Sequence, residues 1–176
     1  EDISLMRSIP NMTVINPADA VSTEKLLEKV AAYDGPCYVR LGRAAVPVVY
    51  DEGVEFEIGK GMELKSGTDV AIIATGILID QALIAYEILA KEGISARIID
   101  IHTIKPIDQD IIIKAAKETK GIVTAEEHSV IGGLGSAVAE VVGENHPTKI
   151  KRVGVLDTFG ESGNPDELMV KYKLTA

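Results

Sequence analysis

The stretch AEEHSVIGGLGSAVAE, Ala125 to Glu140, brings two glutamates and a histidine to the end of an apolar run, and a glycine cluster follows at once. Carboxylates and an imidazole at a strand end could do general acid–base work. Glycines opening a helix could cradle a phosphate on the unpaired N–H groups of its first turn. A dinucleotide fingerprint needs G-x-G-x-x-G, but Gly133-Leu134-Gly135 is followed by Val138 where the third glycine belongs. Asp157 lies about 20 residues on, a cheap match in an acidic chain. The plainer alternative is that Gly132, Gly133 and Gly135 give a sharp turn and close helix packing, and that Glu126, Glu127 and His128 form a polar strand end at an interface.

Two arginines, Arg40 and Arg43, sit in CYVRLGR. A guanidinium at a strand end can hold a phosphate with its forked donors, or be ion-paired or solvated. The three histidines, His102, His128 and His146, are too scattered for a spaced metal motif. No G-x-S-x-G, Walker A or H-E-x-x-H pattern occurs.

The elements that must position these residues alternate. Ser4 to Ile9 reads as a short helix stopped by Pro10, and TVINPAD as a short strand running into a helix. Ala18 to Tyr33 follows at helical spacing, starting near Asn16 or Pro17. CYVRLGR reads as a strand. From Ala44 to Thr68 helical period is lost among Pro47 and four glycines, and Val54, Phe56 and Ile58 alternate, which predicts a linker with one or two strands. Then DVAIIATG, ARIIDIH, IVTAEEH and KIKRVGVLD read as strands, separated by helices after Thr75, from KPIDQD with Asp108 as N-cap, and from GGLGSA; a last helix is NPDELMVKYKL. Apolar strands alternating with helices predict an α/β fold, a mostly parallel sheet with helices on both faces.

At 176 residues the chain can bury a core, and Ile, Val, Leu and Ala must build it because tryptophan is absent. A net charge of -9 argues against nucleic acid as a partner. No apolar run reaches the roughly 18 residues of a membrane span, and no signal peptide is visible. The single cysteine, Cys37, reads as a small buried residue at a strand start and suits a reducing compartment, so a cytoplasmic setting is expected.

Six segments in order, LMRSIPNMTVINPAD, GPCYVRLGR, VAIIATG, IIDIHTIKPID, TAEEHSVIGGLGSAVAE and FGESGNPDEL, resemble the C-terminal part of a transketolase. They are also similar to deoxyxylulose-phosphate synthases and to 2-oxo-acid dehydrogenase beta subunits, with TIKPID and FGESG favouring transketolase. The resemblance implies two-carbon ketol transfer between sugar phosphates on thiamine diphosphate, with a divalent cation such as Mg. It implies residues 1–43 as part of a pyrimidine-binding domain, 44–68 as a crossing linker with a strand, and 69–176 as the transketolase C-terminal domain. It implies Arg43 as the arginine that grips the sugar phosphate, and Arg7 as a second, phosphate-side or structural, arginine. The family's G-D-G…N diphosphate motif is absent from this chain, and the family's activating glutamate lies upstream of Glu1. The chain alone is therefore expected to be inactive and to bind no cofactor, and to need an N-terminal part or subunit in a homodimeric assembly. The rival expectations are one of the two sister enzymes, or a non-catalytic assembly or regulatory module of the same fold.

Overall fold

The computed structural model describes residues 1–43 and 45–176. The chain runs α1 (Asp2–Ser8), β1 (Thr13–Ile15), α2 (Ala20–Ala31), β2 (Cys37–Val39), β3 (Met62–Lys65), β4 (Val70–Ala74), α3 (Leu78–Lys91), β5 (Ala96–Asp100), β6 (Thr103–Lys105), α4 (Gln109–Glu118), β7 (Ile122–Ser129), α5 (Leu134–Asn145), β8 (Ile150–Val155) and α6 (Pro165–Lys171). A five-stranded sheet has the order β3-β5-β4-β7-β8. Its last four strands are parallel neighbours, and β3 is an antiparallel edge. The expected α/β architecture is therefore present.

Both faces of the sheet are covered, which is why its strands read as continuous apolar runs. On one face Ala71, Ile73, Ile99 and Ile122 pack with Ile112 and Ala115 of α4 and Leu134, Val138 and Val141 of α5. On the other, Ile72, Ala74 and Ile98 pack with Leu78, Ile79 and Ala82 of α3. The Asp108 side chain accepts from Ile111 N and caps α4 as read from the sequence. Gly93, at φ 78°, lets the chain turn away after α3.

A second sheet, β2-β1-β6, joins strands that the sequence pattern does not pair. Strand β1 pairs parallel with β2 and antiparallel with β6, and Asn16 N extends the second pairing to His102 O at 2.8 Å. The N-terminal segment thus shares a sheet with a strand that follows β5.

Three boundaries differ from expectation. Helix α2 starts after Asp19 rather than Asn16 or Pro17, because Asp19 accepts from Ser22 N and Ser22 answers in a reciprocal cap, an arrangement worth about 1 kcal/mol. Strand β2 ends at Val39: Arg40 N still reaches Ile15 O at 2.8 Å, but Pro17 has no N–H to prolong the ladder, so Arg43 lies in a bend beyond the strand. The alternation Val54, Phe56, Ile58 makes no strand; β3 is the strand of this segment among the described residues.

That segment is nonetheless anchored. The second oxygen of Asp19 accepts from Val49 N at 2.7 Å and Tyr50 N at 2.9 Å. The Tyr50 hydroxyl donates to Asp100 Oδ2 at 2.6 Å. Phe56 stacks edge-on against Tyr50 and His102, with ring centroids 4.9 and 5.3 Å away. Asp100 has no solvent access, and burial outweighs the Tyr50 bond and pushes its carboxyl up to about 7. The folded state therefore holds this proton more tightly than the unfolded chain. The stability this gives is present at low pH and is lost as pH rises through about 7. The unfolding free energy of Asp100→Asn minus that of the unsubstituted protein, from denaturant titrations, is expected to grow between pH 5 and pH 8, by about a few kcal/mol at most. A difference that stays flat over that range would show an Asp100 ionised throughout.

Candidate functional site

The period of β7 sets Thr124, Glu126 and His128 on one face, beneath the start of α5. Glu126 is completely buried, and its carboxylate accepts from Leu134 N at 2.7 Å and Gly135 N at 2.8 Å. The cradle that the glycines suggest is thus filled by the chain's own anion. A Cβ on Gly133 would stand 1.9 Å from Glu126 Oε2, and one on Gly135 would stand 2.7 Å from Thr124 Oγ1. Burial raises the Glu126 carboxyl to about 7 against the pull of those two N–H bonds. Arg7 closes the other side of the turn, donating to Gly132 O at 2.7 Å, Gly133 O at 3.3 Å and Glu140 Oε2 at 2.7 Å. These contacts favour its structural alternative.

His128 is also buried. Its Nδ1 lies 2.7 Å from Ser129 O, and a carbonyl only accepts, so Nδ1 carries the proton. Its Nε2 faces Asp2 of α1, at 3.9 Å. Burial lowers its pKa. Neither Glu126 nor His128 is placed to exchange protons with a substrate. Cys37 starts β2 as read, but it is half-buried rather than buried.

The open polar site is elsewhere, where β2 ends beside β7. A depression of about 530 Å³ is lined by Asp2, Tyr38, Arg40, Arg43 and Glu127, among others. Arg40 donates through Nε to Asp2 Oδ2 at 3.0 Å and through Nη1 to Glu127 Oε2 at 2.8 Å. The Tyr38 hydroxyl donates to the same Asp2 oxygen at 2.9 Å. Burial alone would raise the Asp2 carboxyl, but Tyr38 and then Arg40 outweigh it and leave it below its usual range. Arg43, in contrast, is exposed. Tyr38 of β2 and Arg40, one residue past its end, both reach Asp2; nothing in the sequence marks Asp2 as their partner.

The model of the transketolase C-terminal domain matches residues 59–176, and that of the transketolase pyrimidine-binding domain matches residues 1–48. The chain belongs to the transketolase family. It is 48% identical over its whole length to a 6-deoxy-6-sulfo-D-fructose transketolase subunit of a Clostridium species. It is 50% identical, over 99% of its length, to a putative transketolase C-terminal section of Methanocaldococcus jannaschii. In both cases it spans 55% of the relative, so the chain covers about half the length of these curated relatives. A solved structure described as a split gene transketolase, inactive beta4 tetramer, superposes with a TM-score of 0.97 at 51% identity, over 99% of this chain and 57% of that one.

The transketolase family implies thiamine diphosphate and a divalent cation. The glycine-rich helix start, which could have cradled a diphosphate, is filled by Glu126 and does not fit that group. Among the described residues no helix is long and apolar enough to cross a membrane.

The filled cradle makes Gly133 and Gly143 opposites, although both belong to the start or body of one helix. Gly133→Ala is expected to destabilise by about 2–3 kcal/mol, because the methyl group meets a carboxylate that cannot move without losing its two donors. A Cβ on Gly143 meets nothing within 4 Å, so Gly143→Ala is expected to stabilise by roughly 0.5–1 kcal/mol. Thermal denaturation of the two variants reads both signs, and a neutral Gly133→Ala would refute the filled cradle.

Proposed function

We propose that this chain is the C-terminal section of a transketolase. With an N-terminal section it would transfer two-carbon ketol units between sugar phosphates. Residues 1–43 would complete the pyrimidine-binding domain, 69–176 would form the C-terminal domain, and 44–68 would join them. The relatives support this reading: one carries the name of a transketolase subunit, another of a C-terminal section. The family's thiamine diphosphate and cation would be held with the N-terminal section, and when bound would supply the electron sink that two-carbon transfer needs. The inactive tetramer named for the structural neighbour supports the expectation that the section alone does not turn over.

One observation carries the substrate assignment: an exposed arginine, Arg43, opens onto a polar depression in which the other arginine is engaged by two carboxylates. That arrangement suits the terminal anion of a sugar. Two relatives are named for substrates with such an end, a 6-sulfo sugar and a 4-phosphate. In this chain Arg43 would hold the phosphate, while Arg7 would brace the Gly132–Gly133 turn.

The test uses the chain reconstituted with its N-terminal section, thiamine diphosphate and magnesium. A bidentate guanidinium–phosphate contact is worth roughly 1.5–3 kcal/mol. Arg43→Ala is therefore expected to raise KM for phosphorylated sugars by on the order of 10- to 100-fold. Arg43→Lys should recover part of this, as a point charge without the planar fork. A short non-phosphorylated hydroxy-keto acid donor should be unaffected. Equal harm to both substrate types would make Arg43 structural.

A further inference from the structure

We propose that Arg40 is a positioning residue for the anion site: its guanidinium, clamped between Asp2 of α1 and Glu127 of β7, fixes the end of β2 so that the Gly42–Arg43 bend presents Arg43 to the sugar's terminal anion. The inference rests on the phosphate reading of Arg43 and adds the device that aims it.

The geometry supplies three reasons. First, β2 is only three residues long, and its ladder stops when Arg40 N reaches Ile15 O at 2.8 Å. Backbone pairing therefore no longer orients the chain at the point where Arg43 must be placed. Secondly, Arg40 takes over that task from its side chain. Nε and Nη1 reach carboxylates from two separate elements, at 3.0 and 2.8 Å, which fixes the planar group in two directions. The Tyr38 hydroxyl holds the same Asp2 oxygen at 2.9 Å, so that carboxylate is itself oriented. Thirdly, the Arg40 side chain is 22% exposed, whereas Arg43 is classed among the exposed residues of the same depression. Arg40 offsets one of the two nearby carboxylate charges, so an incoming anion meets less uncompensated negative charge beside Arg43 than it would without the clamp. Arg40 is thus a brace and a shield, and a lysine could satisfy only one of its two carboxylates well.

The experiment is a mutant cycle on the reconstituted complex with thiamine diphosphate and magnesium. KM and kcat are measured for a phosphorylated acceptor and for a non-phosphorylated donor, and inorganic phosphate is used as a competitive inhibitor to read the anion site directly. Arg40→Met and the gentler, isosteric Glu127→Gln are each expected to raise KM for the phosphorylated sugar by about 3- to 10-fold and to weaken phosphate inhibition in parallel. kcat and the non-phosphorylated donor should change less than 2-fold. On an Arg43→Ala background neither substitution should have a further effect on phosphate, because the group they aim is gone.

Full additivity on that background would mean that Arg40 touches the anion itself and would overturn the positioning role while leaving the phosphate reading of Arg43 intact. Equal loss with both substrate types, in Glu127→Gln as well as Arg40→Met, would make the clamp merely structural and overturn the inference. An Arg43→Ala variant with unaltered phosphate KM would overturn the phosphate reading, and this inference with it.

Discussion

The Glu126 carboxylate, sealed inside the protein, is what the local architecture of the C-terminal half is built around. Burying an ionised carboxylate costs several kcal/mol unless donors surround it. Here the donors are the first free N–H groups of α5, which need an acceptor as much as the carboxylate needs donors. Each satisfies the other only if the turn between β7 and α5 comes close, and that closeness forbids a Cβ at Gly133 and Gly135. Arg7 then uses the carbonyl side of the same turn. Helix α1 and helix α5 are thereby referenced to one point, and the N-terminal segment is registered on the parallel sheet by polar contacts as well as by Ile3 in the core.

A second registration comes from the segment between β2 and β3. Asp19 caps α2 with one oxygen and holds the Val49 and Tyr50 amides with the other. Tyr50 passes the constraint on to Asp100 at the end of β5. A stretch with the composition of a linker is in this way pinned to both halves, and β6 joins those halves in one sheet. The depression with Arg43 lies at this seam, so its shape depends on parts of the chain that are far apart in sequence.

This explains what was legible in the sequence. The parallel sheet was readable because its strands are buried on both faces and its helices repeat, a signal that each segment carries by itself. Asp108 was readable as a cap for the same local reason. Strand β6 was not: Thr103–Lys105 is three residues long and gains its partner only when β1 arrives from nearly ninety positions away. The burial of Tyr50 and Phe56 was hidden because their neighbours, Asp100 and His102, are also far away in sequence, about half that separation. Glu126 gave a partial signal. Its alternation with Thr124 and His128 placed three polar groups on one strand face, and the glycines stood a short turn away, but the phosphate reading and the self-filled reading predict the same residues. Only the distances separate them.

On the proposed reading of Arg43, the arginines explain how an acidic chain would offer an anion a site. Among the described residues, Arg7, Arg40, Arg97 and Arg152 each donate to an acceptor within the fold, three of them to carboxylates. Such pairs add little net attraction for a ligand, since each cation is already screened by its partner. Their contribution is geometric: Arg7 sets the glycine turn, Arg40 ties the end of β2 to α1 and β7, and Arg97 bridges Glu63 and Glu118 across β3, β5 and the end of α4. Arg43 is exposed, and unlike these four it lies on a bend at the rim of the polar depression. A net charge of -9 spread over the rest of the surface would repel an anion at long range, within roughly a Debye length. Recognition then has to come from short-range, directional contact. On the proposed reading of Arg43, its planar guanidinium would supply that contact, and Arg40, the paired arginine of the same depression, would hold the end of β2 that carries it.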